Sequence, residues 1–198
     1  MNSEKIHKLV GTGLLTALVV VVYFLTMGIT VGPFNITFAL IPIVVGAALY
    51  GWAAGGWLGL VFGAMVLFTG GANAFLAVNV PGTVITVLVK GAAAGLVPGL
   101  IYKALEKKNR WAATICAAAA APIVNTGIFL LGCFAFFMDT LTVWAAGAGI
   151  DNAVVYMLTA FVGVNFLVEL GTNLLLSSVI VRIVDIVKNK LSSNKQGV

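Results

Sequence analysis

The sequence predicts an all-α integral membrane protein, a six-transmembrane-helix bundle with both termini on the cytoplasmic side (N-in/C-in). Three observations predict it. Of the 198 residues, 61% are hydrophobic and 9% charged; the mean hydropathy is +1.12; and the basic residues fall in three clusters separated by apolar stretches. Soluble domains carry charge on about 25% of their residues, so water is not the main solvent of this chain. Its length accommodates about six spans of roughly 20 residues with short connections, and no additional folded domain. A single membrane domain over residues 1–188 is expected, followed by a flexible polar cytoplasmic tail over 189–198.

Apolar stretches punctuated by Gly, Pro and Asn place the six helices at 9–30, 36–50, 53–69, 82–104, 111–137 and 154–187. The first follows the basic residues Lys5 and Lys8. It superficially resembles a signal peptide, but no small-x-small cleavage site closes a short apolar region, so it reads as an uncleaved helix. The second and third are separated at Gly51-Trp52. Reading 36–69 as one helix would put an odd number of spans between Lys5/Lys8 and the cluster Lys103, Lys107, Lys108 and Arg110. Positive residues mark the cytoplasmic side, so the clusters must be an even number of spans apart. Both helices are rich in small residues, including Gly46, Gly55, Gly56, Gly59 and Gly63, which let backbones approach closely in a bilayer. Pro81 fits the start of the fourth helix, Pro42 and Pro98 can kink their helices, and Pro122 bends the fifth near Asn125. The sixth ends in the third cluster, Arg182, Lys188, Lys190 and Lys195. The connections assigned outside, 31–35, 70–81 and 138–153, hold no Lys or Arg, and the last holds Asp139 and Asp151.

The charge distribution argues against nucleic acid as a partner, because the net charge of +5 sits at span ends. No phosphate-binding Gly-x-x-x-x-Gly-Lys-Ser/Thr loop occurs. The single histidine, His7, lies in the leader, and neither a metal constellation nor a Ser-His-Asp set can be assembled within the spans. No catalysis, metal or cofactor is expected. Cys116 and Cys133, in one apolar helix, read as small hydrophobes.

Two ionisable residues fall at bilayer depth, Lys90 and Glu169. Each costs about 2.5–3.5 kcal/mol near a helix centre, so each must face protein or water and find a partner. They could pair with each other, or Lys90 could snorkel. Uncharged polar residues gather at or above that depth: Asn73 and Asn79 before the fourth helix, then Asn125 and Thr126 after Pro122. Asn165, Glu169 and Asn173 recur every four residues and share one helix face. Such a set suits a small-molecule pocket offering donors and acceptors; the same residues could also fasten helices together. Phe75, Trp144 and Tyr156 are placed to close a pocket, and Tyr50, Trp52, Trp57, Tyr102 and Trp111 to anchor the inner interface.

The order of several motifs resembles a known family. A basic leader and first helix precede Val31-Gly32-Pro33-Phe34-Asn35-Ile36, then Ile41-Pro42-Ile43-Val44-Val45-Gly46-Ala47-Ala48-Leu49-Tyr50-Gly51 and Ala54-Gly55-Gly56-Trp57-Leu58-Gly59. Leu88-Val89-Lys90-Gly91-Ala92-Ala93-Ala94-Gly95-Leu96 and Pro122-Ile123-Val124-Asn125-Thr126-Gly127 follow. Over nearly the whole chain the series resembles the substrate-binding S components of energy-coupling factor (ECF) vitamin transporters. The resemblance implies a six-helix bundle in the bacterial plasma membrane that captures a water-soluble vitamin outside. It also implies partners, a T subunit and two ATPases, on whose ATP use the loaded bundle topples to present its substrate inward. The family contacts the T subunit through small residues four apart on the first helix, commonly Ala-x-x-x-Ala; Gly13 and Ala17 match the spacing with one Gly-for-Ala departure. The pattern is most like the branch associated with pantothenate, with riboflavin as a rival. A carboxylate could pair with Lys90 while the Asn groups hold hydroxyls and an amide, although Glu169 would then repel the anion. Outside the family, a proton-coupled secondary transporter using Lys90 and Glu169, or a structural subunit, stays open.

Overall fold

Removed from water, a backbone must satisfy its own polar groups, and helices do so within one segment; this chain is helical almost throughout. The computed structural model describes the backbone of residues 3–31, 34–35 and 37–196, with side chains at 5–29, 37–160, 163 and 165–188. Gly32, Pro33 and Ile36 of the expected turn, and the last two residues of the expected tail, lie outside the described residues.

The elements are α1 (Ser3–Thr26), β1 (Thr30–Val31), β2 (Phe34–Asn35), α2 (Leu40–Tyr50), α3 (Trp52–Phe68), α4 (Asn73–Leu76), α5 (Val80–Leu105), α6 (Arg110–Phe136), α7 (Met138–Gly147), α8 (Ala153–Met157) and α9 (Gly163–Gln196). A π-helical turn, Leu158–Val162, joins α8 to α9. Among the described residues, four segments are long and apolar enough to cross a membrane: Lys5–Thr26, Val80–Leu105, Arg110–Phe136 and Ala153–Lys188. α2 and α3, with 11 and 17 residues, fall short of the roughly 20 that a perpendicular span needs.

Several boundaries differ from those expected: α1 spans Ser3–Thr26 rather than 9–30, and α9 continues to Gln196 through most of the expected tail. The second helix begins at Leu40 rather than near 36, because Asn35 pairs with Thr30 in the antiparallel β1–β2 ribbon and Thr37 Oγ1 accepts a hydrogen bond from Ala39 N. The connection expected over 138–153 contains α7, which buries Leu141 and Ala145 one turn apart on one face. The break between α2 and α3 falls at Gly51 as the charge pattern requires. With φ 92° and ψ 171°, Gly51 occupies a region essentially closed to other residues.

α3 and α5 run antiparallel with their glycines in register. Gly55 lies against Gly95, Gly59 against Gly91, and Gly63 against Val87; a Cβ on Gly63 would come 2.8 Å from the Val87 carbonyl oxygen, and one on Gly59 or Gly55 would strike the opposing carbonyl. This contact replaces side-chain interdigitation with backbone-to-backbone packing. Around it a buried core joins Val19 of α1, Leu40 and Ile43 of α2, Leu58 and Phe62 of α3, Ala94 of α5, Ala117 of α6 and Ile180 of α9.

The two ends of the bundle differ chemically. Gly11 abuts the Tyr50 ring and Gly99 abuts Trp52. Lys188 donates to Glu106 Oε2 at 2.5 Å and to the Tyr102 hydroxyl at 3.3 Å, and Arg110 pairs with Asp185 at 3.3 Å. These contacts gather the start of α1, the α2–α3 turn, the end of α5, the start of α6 and the end of α9, bringing the three basic clusters to one end. Tyr102, expected as an interface anchor, is instead buried beneath Lys188, whose ammonium lies 4.7 Å from the ring centroid. Trp52, Trp57 and Trp111 are half exposed.

Candidate functional site

Away from the basic end, the helices part around a cavity with about 900 Å³ of empty space, its mouth included. α1 contributes Tyr23, Thr26 and Met27; α3 contributes Phe62 and Val66; the α3–α4 turn contributes Gly71 and Ala72, and α4 Phe75. Thr37 enters from the lead-in to α2, and Thr83, Thr86, Val87 and Lys90 from α5. Asn125, Thr126 and Phe129 come from α6, with Phe137 just after it, and Asn165 and Glu169 from α9.

Of the six residues singled out in the sequence as ligand-binding, the fold brings Lys90, Asn125, Asn165 and Glu169 to this one wall. The other two lie off it. Asn79 caps α5, its Oδ1 accepting from Gly82 N at 2.9 Å, the role Asn takes when it precedes a helix that opens with Pro. Asn73 begins α4 with its side chain toward Gly70, exposed. Asn173, one turn beyond Glu169, is fully buried, and its amide donates to the Glu169 carbonyl oxygen at 2.8 Å.

The polar groups of the wall are incompletely satisfied. Among the described residues, Asn125 Oδ1, Asn165 Oδ1 and Thr86 Oγ1 on the cavity, and Asn173 Oδ1 off it, are buried without a hydrogen-bond partner. A buried acceptor without a donor costs about 1–3 kcal/mol, so three on one cavity mark a place where a ligand or ordered water supplies the missing partners. Lys90 Nζ stands 5.1 Å from the centroid of the Phe129 ring, a cation–π contact. Among the described residues the ion pairs are Arg110–Asp185 and Lys188–Glu106, so Lys90 and Glu169 share the cavity without bonding to each other. Glu169 Oε1 accepts from Thr37 N at 3.2 Å.

Besides Thr126, other hydroxyls line the cavity. Thr26 and Thr83 bond back to the carbonyls of Val22 and Asn79, and Tyr23 pairs with Thr69 at 2.8 Å. Thr86 alone among these leaves its oxygen orphaned, and a threonine inside an apolar helix gives no outward sign of which course it takes.

Phe75 roofs the cavity. It makes edge contacts with Phe129 (5.5 Å), Phe137 (5.0 Å) and Trp144 (5.5 Å between centroids), within a cluster that includes Cys133, Leu141, Met157 and Tyr156. On the far side of α1, Gly13 and Ala17 are exposed, and a Cβ on Gly13 would meet nothing within 4 Å. Leu14 and Leu25 extend this face, 69% and 76% exposed.

The chain matches the family model of the ECF transporter, substrate-specific component, over residues 7–181. It is 29% identical over 180 residues to the pantothenic acid transporter PanT of Lactococcus lactis subsp. cremoris (strain MG1363), the match covering 83% of this chain and 86% of that protein. No solved structure matches.

Proposed function

Because the chain belongs to the substrate-specific components of ECF transporters, multi-pass membrane proteins that act in transport and not as enzymes, we propose that its cavity captures pantothenate from outside the cell. Delivery inward then depends on a T subunit and two ATPase subunits in the bacterial plasma membrane. α1, α2, α3, α5, α6 and α9 form the six-helix bundle, both termini facing the cytoplasm. The clustering of basic residues at the end remote from the cavity supports that orientation, and with it an outward-opening site.

The observation that carries the reading is the pairing of one cation, Lys90, with orphaned acceptors at Thr86, Asn125 and Asn165 in a single cavity. Pantothenate has a carboxylate at one end, hydroxyls at the other and an amide between. Lys90 holds the carboxylate by a charge-assisted hydrogen bond, and the acceptors take the amide proton and one hydroxyl proton. Phe62, Val66 and Phe75 cover its apolar methyls. The similarity to PanT favours this vitamin over a flat, uncharged one such as riboflavin.

Native mass spectrometry of the gently purified chain tests the proposal. One retained pantothenate per chain is expected, and copurification with a T subunit and an ATPase pair. Another vitamin in its place would reassign the substrate. Proton-driven uptake by the chain alone in liposomes would replace the proposal with a self-sufficient transporter.

A further inference from the structure

Glu169 is 3% exposed and lies on the wall of a cavity proposed to hold an anion. A carboxylate there with no task toward the ligand would only repel it. Its structural bond accounts for half of the group: Oε1 accepts from Thr37 N. Oε2 accepts nothing from the described residues, yet it is not among the sealed polar atoms left without a partner. In a side chain otherwise buried, the open side of that oxygen is the cavity. Of the nearest donors, the Asn173 amide turns to the backbone and Lys90 is not within ion-pairing distance of Glu169. A carboxylate is an acceptor with about four lone-pair sites, so the free oxygen calls for a donor, and a ligand hydroxyl in the cavity can supply it.

We infer that Glu169 is a specificity-determining residue: its free carboxyl oxygen accepts a hydrogen bond from a hydroxyl of the bound vitamin, whose own carboxylate sits at Lys90. The inference rests on the function proposed above and extends it. Lys90 on α5 and Glu169 on α9 are not paired, so each charge governs one end of a bipolar ligand. The cavity then selects anions that carry a hydroxyl remote from the acid group. Simple acyl anions are rejected, because binding them would leave the Glu169 oxygen buried without a donor.

The test is calorimetric titration of the full chain in detergent with pantothenate and with its dideoxy analogue, the same acyl-β-alanine without hydroxyls. The wild type is expected to prefer pantothenate by roughly 10- to 100-fold, the worth of a hydrogen bond to a charged group. Glu169→Gln should shrink the preference several-fold, leaving what the other hydroxyl contributes through the neutral acceptors, with Glu169→Ala as a second substitution that leaves no amide to satisfy. Lys90→Ala should weaken both ligands by a similar factor and preserve the preference. Equal binding of the two ligands by the wild type overturns the inference. So do Glu169 variants that weaken both ligands alike, which is the result of a purely structural role through Thr37. Absence of pantothenate binding by the wild type is distinguishable from either, because it overturns the proposed function itself and the inference with it.

Discussion

At the scale of single residues, the cavity is defined by side chains whose needs the protein does not meet. Lys90 makes no ion pair among the described residues. Lys90→Ala should therefore cost the apo protein little in thermal stability while weakening pantothenate binding by roughly 10- to 100-fold. Asn165→Ala removes an orphaned acceptor and should weaken binding by roughly 2- to 10-fold, with an unchanged melting temperature. Asn73, exposed and off the wall, provides the contrast: Asn73→Ala should leave affinity within about twofold in the same titration. The buried members were legible because a charge or amide at bilayer depth needs a reason to be there. Asn79 was legible only as a polar residue near the right depth, since an amide that caps a helix and one that meets a ligand look alike until the chain is folded. Thr86 was silent for the complementary reason, its type being at home in an apolar helix.

At the scale of elements, the Gly55, Gly59 and Gly63 series carried its meaning in its spacing, and the fold uses it against Gly95, Gly91 and Val87. Gly59→Leu would drive a side chain into the Gly91 backbone, and overpacking of this kind costs about 1–3 kcal/mol or more. The expected result is loss of the monodisperse peak in size-exclusion chromatography or a large fall in melting temperature. Gly51→Ala should destabilise by about 1–3 kcal/mol, because alanine does not tolerate that backbone region; a thermal-shift measurement reads it. Helix ends were harder to place than helices. The start of α2 depends on a pairing between Thr30 and Asn35 that hydropathy does not encode. α7 combines the polar residues Asp139, Thr140 and Thr142 with an apolar face that has meaning only once Phe75 is there to receive it.

At the scale of the whole molecule, the ion pairs among the described residues are segregated from the cavity. The Lys188–Glu106 and Arg110–Asp185 pairs tie α5, α6 and α9 together at the basic end, leaving the other end to the aromatic roof. The exposed face of α1 at Gly13 and Ala17 is suited to close approach by a partner helix. Gly13→Leu adds bulk that meets nothing within the chain, so it should reduce copurification with the T subunit while leaving vitamin affinity within about twofold. Equal loss of both would mean that α1 supports the cavity rather than a partner.

The central claim is that one cavity, built by this chain alone, binds one vitamin through Lys90. Equilibrium dialysis of radiolabelled pantothenate against the purified chain, without partners, tests it most directly. Saturable binding of one ligand per chain, strongly weakened in a folded Lys90→Ala variant, is the expected result. Absence of saturable binding, or equal affinity in the variant, would contradict it.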